Sequence, residues 1–156
     1  MALVFVGAAA LTYALLRRPD DEARIRGQVA ALADAVRIDA GERDPRARPR
    51  RIREAFRTSL APEVQVDIAD LVEDGHGRDE LAGMAVSAAQ TFGQLQVDFG
   101  DVRVEVDRPA RRARVTAVAT LAGTDLDGQP DREVRNVTLR LVDGDGEWRI
   151  ASIETR

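Results

Sequence analysis

The apolar positions in the first half of the chain follow helical spacing. Four of them form one stripe that predicts a first helix: Ile25, Val29, Leu32 and Val36. A loop over residues 39–50 leads to a short second helix, which Pro62 closes. Residues 64–68 alternate like a brief strand. A third helix is predicted over residues 79–92, with an apolar face made of Leu81, Met84, Ala85, Ala88 and Phe92.

The spacing of apolar residues changes to every second position in the second half. Leu95, Val97 and Phe99 lie on one side of a strand, and Val102, Val104 and Val106 continue it with the opposite parity. One extra residue at Gly100-Asp101 would cause this change, which predicts a β-bulge that bends the strand. Three further strands follow over residues 113–121, 134–142 and 147–154. The chain therefore predicts an α+β fold with four long antiparallel strands.

The N-terminal run has a different character from the rest. Residues 1–16 are apolar apart from Thr12 and Tyr13, and Arg17 and Arg18 end the run. As a helix it would span roughly 24 Å, somewhat less than a bilayer core of roughly 30 Å. No basic residues precede it, as they would in a cleaved signal peptide. We expect residues 1–18 to be a transmembrane anchor or signal-like segment, uncleaved, followed by one domain over residues 19–156.

The residues on either side of this anchor do not decide its orientation in the membrane. Arg17 and Arg18 would hold the following domain on the cytoplasmic side. A start that lacks a few basic residues would instead fit export of the domain. The predicted location is therefore a bacterial membrane, with the domain on either side.

Composition excludes several classes of site. The chain has 156 residues, no cysteine and a net charge of −4, and all 23 of its basic residues are arginine. Cysteine-ligated zinc, thiolate catalysis and a lysine Schiff base are therefore excluded. The net charge argues against nucleic-acid binding, and the arginine bias is typical of a GC-rich, bacterial genome. The acidic turns lack the spacing of calcium loops, so no metal site and no cofactor are predicted.

Three features resemble the nuclear transport factor 2-like, or SnoaL-like, superfamily. They are the element order over residues 20–156, the GRDEL helix start at 77–81 and the closing GEWRIASIE at 146–154. The resemblance implies a cone in which a strongly curved antiparallel sheet wraps around three helices and leaves a pocket. It also implies a homodimer formed across the sheet. Members include isomerases, dehydratases, cyclases, hydrolases and proteins without catalysis, so the resemblance indicates no particular activity.

His76 and Asp67 are the candidate catalytic residues. His76 is the single histidine and has a side chain suited to acid–base chemistry near neutral pH. It lies between Gly75 and Gly77 in an acidic loop, where a solvated side chain is the simpler interpretation. An isomerase-like site would need a phenolic donor, but the single tyrosine is Tyr13 in the N-terminal run. Asp67, or Asp98, would have to act as the partner of His76.

Aromatic and charged residues offer further candidates. The aromatic residues that could line a pocket, or simply fill the core, are Phe56, Phe92, Phe99 and Trp148. Seven arginines within residues 43–57 form either a patch for anionic lipids or a solvated surface. The strand faces opposite the apolar ones carry opposite charges, which is typical of a solvated sheet face: Arg103, Glu105, Asp107, Arg112, Arg114, Arg140 and Arg149.

The function predicted from these observations is a membrane-anchored module that binds an apolar small molecule or another protein. Catalysis is not evident, and the homodimer and the membrane are the expected partners. The alternative is a lyase, isomerase or hydrolase that acts on an apolar, ring-bearing or polyketide-like molecule with His76 and Asp67 as acid and base. Whether the protein is an enzyme is left open.

Overall fold

The computed structural model describes residues 21–42, 44–68 and 77–156. Three α-helices are present, α1 at Asp21–Val36, α2 at Arg48–Ser59 and α3 at Arg78–Ala89, with a short 3-10 helix at Pro45–Ala47 before α2. The strands are β1 at Leu60–Ile68, β2 at Phe92–Asp107, β3 at Arg112–Asp125, β4 at Pro130–Gly144 and β5 at Glu147–Thr155. The predicted anchor over residues 1–18 lies outside the described residues. Within the described ranges, no helix has both the length and the apolar character needed to cross a membrane.

The five strands form one curved sheet in the order β1-β5-β4-β3-β2. The four long strands pair antiparallel, as their connecting turns predict. β1 is added at the far edge and runs parallel to β5. The α+β class, the curved sheet and the three helices are therefore confirmed, with β1 as the parallel exception to the predicted antiparallel sheet.

Register shifts interrupt the regular pairing of the described strands. The pairing of β2 with β3 shifts between Gly100 and Arg103, and Asp101 adopts a positive φ of 51°. This is the bulge that the change of parity predicts. A second shift lies in β5, where Ile150 pairs with Leu141 but Ser152 pairs with Arg140, which leaves Ala151 as the extra residue.

Alternation along the strands divides the sheet into an inner face and an outer face. The inner face carries the buried side chains of β3 and β4, namely Ala113, Val115, Ala117, Val137, Leu139 and Leu141. All of these except Ala117 pack with Ile25 and Val29 of α1 in one core cluster. A second cluster joins Ile38, Ile52, Val86, Ala89 and Leu95 between the helices and β2. The outer face carries most of the charged side chains of the described strands.

The predicted ends of two helices are wrong. α2 ends at Ser59, and Leu60 begins β1, so that Pro62 lies within β1. Because β1 is an edge strand, a residue without an N–H is tolerated there. α3 ends at Ala89, and Phe92 begins β2. Leu60 and Phe92 are apolar and fit the spacing of a helix as well as that of a strand. The spacing of apolar residues therefore does not show where either helix ends.

The predicted apolar face of α3 is confirmed only in part, because Leu81 and Ala85 pack against the two core clusters whereas Ala88 is exposed. The helix buries Ala82, Val86 and Ala89, whereas Met84 is 45 % exposed. Val86 and Ala89 pack in the second core cluster with Ile52 of α2. Small side chains allow two helices to approach closely, so packing between α2 and α3 selected the alanine-rich side over the stripe with larger residues.

Two arginines of the basic segment are bound to Glu42 rather than free at the surface. Arg48 and Arg51 form ion pairs with its carboxylate at 2.6 and 2.9 Å. Arg48 also donates to the carbonyl of Ala89, at the end of α3, and Arg51 donates to the carbonyl of Ala35, at the end of α1. Burial by itself raises the pKa of the Glu42 carboxyl, but the hydrogen bonds and charges of the two guanidinium groups outweigh it and hold the pKa below its ordinary value. We call these three residues the arginine clamp.

Candidate functional site

The inner face changes from apolar to polar at one end of the sheet. The alternation that buries Val137 in β4 places Arg135 and then Glu133 on the same face. Arg135 pairs across the strands with Ala119, and Glu133 pairs with Leu121. The Arg135 side chain is only 27 % exposed, and its Nε donates to the Glu133 carboxylate. A guanidinium group therefore lies on an otherwise aliphatic wall.

A buried hydroxyl lies one row away on the same face. Thr155 of β5 pairs with Val137 on one side and with Ile68 of β1 on the other, which puts all three side chains on the inner face. The Thr155 Oγ1 is buried and has no hydrogen-bond partner among the described residues. A buried hydroxyl without a partner costs about 1–3 kcal/mol. Such a group is satisfied when a water molecule or a ligand binds beside it.

Two adjacent rows across the sheet define this site. The first row runs Ile68, Thr155, Val137 and Ala117, and the second runs Phe99, Ala119 and Arg135. Ile68, Phe99 and Ala119 are partly buried and pack at the margin of the first core cluster, as does Leu81 of α3. We call Ile68, Leu81, Phe99, Arg135 and Thr155 the inner-face site. It combines an apolar surface with one cation and one hydroxyl.

The two predicted catalytic residues are not brought to this site by the described structure. Asp67 is exposed on the outer face, where it pairs with Glu154 of β5. Because successive side chains of a strand point to opposite faces, Asp67 points away from the side that Ile68 lines. His76 lies outside the described residues, so its pairing with Asp67 stays a prediction. In the part of the chain that is described, no three His, Cys, Asp or Glu side chains are grouped to hold a metal ion.

The four aromatic candidates are spread over the core rather than gathered around one cavity. Trp148 is 6 % exposed, packs in the first cluster and donates from Nε1 to Asp21 at 3.3 Å. Phe56 touches both clusters, and Phe92 packs against the second. Phe99 is the member of this set that lies in the inner-face site.

Sequence reasoning missed Arg135, Glu133 and Thr155, although part of the signal was present. The alternation of Val137, Leu139 and Leu141 already places residue 135 on the buried side of its strand. An arginine at such a position conflicts with the apolar pattern, and conflicts of this kind occur at functional sites. Thr155 carried no comparable signal, because its neighbours depend on how β1 joins the sheet.

Comparison with known proteins supports the architecture. The family profile of the SnoaL-like domain matches residues 45–154. A protein of Kribbella flavida superposes with a TM-score of 0.71 at 14% identity, over 86% of this chain and 88% of that one. A candidate scytalone dehydratase of Novosphingobium aromaticivorans superposes with a TM-score of 0.67 at 17% identity, over 86% and 83% of the two chains.

A third structure extends the same comparison. A nuclear transport factor 2-like superfamily protein of Salmonella enterica serovar Typhimurium superposes with a TM-score of 0.64 at 13% identity, over 85% of this chain and 87% of that one. No curated protein matches the sequence significantly. At these identities, the structural similarity shows the fold alone.

Proposed function

The chain belongs to the SnoaL-like domain family, and on that premise we propose that it is a small-molecule-binding module. The ligand is largely apolar, carries one anionic group and occupies the inner-face site. The observation that carries this proposal is the buried Thr155 hydroxyl, which has no partner among the described residues, one row from Arg135. An apolar wall with a few convergent polar groups is typical of small-molecule sites.

The chemistry of the site sets the class of ligand. A guanidinium group carries five N–H donors in a fixed plane and binds carboxylates and similar anions in a bidentate manner. The bond from Arg135 to Glu133 orients this plane within the sheet. The Thr155 hydroxyl adds a donor, and Ile68, Leu81 and Phe99 remove the apolar part of the ligand from water. An aromatic or aliphatic carboxylate or sulfonate meets these requirements.

Binding of an aromatic sulfonate tests the proposal. The probe is 8-anilinonaphthalene-1-sulfonate, and its fluorescence is followed with the full-length chain. We expect Arg135→Gln and Thr155→Val each to weaken binding by about tenfold, because each removes a polar contact to the ligand. Arg132→Gln is the matched control, since Arg132 is exposed on the same strand and pairs with Ala122 on the outer face. Equal affinities of the Arg135 and Arg132 variants would reject the site.

An enzymatic function is the second proposal, and the position of Glu133 favours it. Its carboxylate lies beside Arg135 on the inner face, so a base and a cation that can stabilise an oxyanion are adjacent. Such a pair suits a lyase, isomerase or hydrolase acting on the same apolar class of molecule. Glu133→Gln separates the two proposals once a bound molecule is identified by native mass spectrometry. Turnover lost with binding retained supports an enzyme, and the absence of turnover in the wild type supports a binding module.

We also propose a homodimer formed through the outer face of β3 and β4. An uncharged patch occupies the middle of this face, consisting of Thr116, Val118, Thr120, Ala122, Val134 and Asn136. Val134 is 54 % exposed, although valine gains free energy on burial. Val118→Arg should convert the dimer to a monomer in native mass spectrometry of the full-length chain. Leu126→Arg, at a more exposed apolar residue outside the patch, is the control and should stay dimeric.

Membrane attachment through residues 1–18 completes the proposal. Its support is the apolar run and the arginine pair that ends it. Native membranes are washed with alkaline carbonate, and the chain is followed by immunoblot. The full-length chain should stay in the membrane pellet, and a chain without residues 1–18 should be released. Release of both would contradict the anchor.

A further inference from the structure

A groove of about 650 Å³ crosses the outer face of the sheet, on the side opposite to the inner-face site. It extends from Gln65 of β1 to Glu105 of β2. Two irregularities lie along it, the extra residue Ala151 in β5 and a shift in β1 between Leu60 and Gln65. Bulges bend a strand and redirect its side chains, and they are frequent beside binding sites. Ala151 and Gln65, which lie at these two irregularities, both line the groove.

One row of side chains spans the floor of the groove. From β2 to β1 it consists of Glu105, Arg114, Arg140, Ser152 and Gln65. Arg114 and Arg140 are directly opposite each other, and like charges in that relation destabilise a sheet. Arg140 is held by Glu154 at 2.6 Å. Arg114 has no ion pair and no hydrogen bond with any described residue, although Glu105 lies directly opposite it on β2.

A buried hydroxyl lies next to this pair. Ser152 is directly opposite Arg140, and its Oγ is buried without a hydrogen-bond partner in the described ranges. The free-energy cost of burying this hydroxyl without a partner is removed when a hydrogen-bond acceptor binds to it. Two guanidinium groups and one hydroxyl donor in adjacent positions of one row make a site for a carboxylate.

The charges around the groove specify the rest of the ligand. Three arginines line it, Arg112, Arg114 and Arg140, and three carboxylates balance them, Glu63, Glu105 and Asp107. The arginines lie on the interior strands β3 and β4, and the carboxylates lie on the edge strands β1 and β2. A ligand with a second negative charge would meet repulsion at these carboxylates. A ligand with one negative and one positive group matches both sets.

We propose that this groove is a second binding site, for a small zwitterion that joins a carboxylate to an ammonium group by a few methylenes. The carboxylate binds between Arg114 and Arg140 and accepts a hydrogen bond from the Ser152 hydroxyl. The ammonium group binds Glu105, which pairs directly with Arg114 on the neighbouring strand. Adjacent strands are about 4.8 Å apart, which a short methylene chain spans. This site and the inner-face site lie on opposite faces, so either can exist without the other.

Calorimetric titration of the full-length chain with 4-aminobutanoate tests the proposal. Acetate and ethylamine are the comparison probes, since each carries one of the two charges. We expect 4-aminobutanoate to bind once per chain and about tenfold more tightly than either comparison probe. Arg114→Gln and Ser152→Ala should each weaken its binding by about tenfold. Neither variant should lower the melting temperature, because Arg114 is exposed and neither side chain has a hydrogen-bond partner among the described residues.

Arg103→Gln is the matched control, because Arg103 is an exposed arginine on the outer face of β2 that does not line the groove. Its affinity for 4-aminobutanoate should equal that of the wild type. Three results would overturn the proposal. The wild type does not bind 4-aminobutanoate, or Arg114→Gln weakens binding no more than Arg103→Gln does, or acetate binds as tightly as the zwitterion.

Discussion

Arg48 and Glu42 form an ion pair at 2.6 Å in which the two side chains are only 15 and 14 % exposed. The same guanidinium donates to the carbonyl of Ala89, so this pair connects the loop before α2 to the end of α3. Arg51 shares the carboxylate and donates to the carbonyl of Ala35 at the end of α1. The arginine clamp therefore satisfies one carbonyl in the last turn of each of two helices and connects both to the start of α2.

Loss of the Glu42 charge should destabilise the fold. Glu42→Gln leaves Arg48 largely buried without a counter-charge, and we expect the free energy of unfolding to fall by about 2 kcal/mol. Urea denaturation of the full-length chain, followed by circular dichroism, measures the change. Glu54→Gln is the control, because the pair of Glu54 with Arg57 is exposed and solvent screens it. An equal effect of both substitutions would show that the clamp adds nothing beyond a surface ion pair.

The contribution of the clamp should depend on pH in one direction. The pKa of Glu42 is lower in the folded chain than in the unfolded chain, because Arg48 and Arg51 favour the ionised carboxylate. The ionised Glu42 carboxylate therefore stabilises the fold above the unfolded-state pKa of about 4.3. This stabilisation is lost as pH falls through the folded-state pKa. The difference in unfolding free energy between the wild type and Glu42→Gln should shrink on acidification. Urea denaturation at neutral pH and at a series of acidic pH values checks this, and a constant difference would contradict it.

Removal of the Thr155 hydroxyl should stabilise the protein without ligand. Thr155→Val keeps the shape of the side chain and removes a buried oxygen that has no partner in the described ranges, so the free energy of unfolding should rise by about 1 kcal/mol. Thr91→Val is the matched contrast, because the Thr91 hydroxyl donates to the carbonyl of Ala88 at 2.7 Å. That variant should lose about 1 kcal/mol. Thermal unfolding compares the two, and the same sign for both would refute the assignment.

Gly123 should not accept a larger residue. A Cβ added there would lie 2.9 Å from both the Gln94 carbonyl oxygen and Phe92 Cδ1. Gly123→Ala should therefore cost about 1–3 kcal/mol, because the backbone of β2 must move. Gly144→Ala serves as the control, since a Cβ at Gly144 would have no heavy atom within 4 Å. Chemical denaturation of both variants measures the difference, and equal stabilities would mean that β2 adapts without cost.

Local patterns in the sequence predicted much of the architecture. The alternation around Gly100-Asp101 predicted the bulge at the place where the structure has it, because a change of parity needs an extra residue wherever it occurs. The element order and the four antiparallel strands followed from the same kind of signal. The ends of α2 and α3 did not, because Leu60 and Phe92 fit both helical spacing and the start of a strand.

The candidate sites were predicted far less well than the fold. Arg135 stands out once β4 is aligned with its apolar residues, but its significance depends on Thr155 one row away. The row Glu105, Arg114, Arg140, Ser152 and Gln65 draws one residue from each strand. Only the pairing registers place these residues together, and the extra residue Ala151 sets which residue of β5 joins the row.

The fold class, the order of elements and the bend in β2 could be predicted locally, because they follow from the period of apolar residues along a short stretch of chain. Which polar groups meet depends on how distant segments pair. β1 joins β5 in parallel and so brings Ile68 to Thr155, and α2 selects the alanine-rich side of α3. These contacts depend on the free energies of packing and strand pairing between distant segments. Such free energies cannot be predicted from the local spacing of apolar residues.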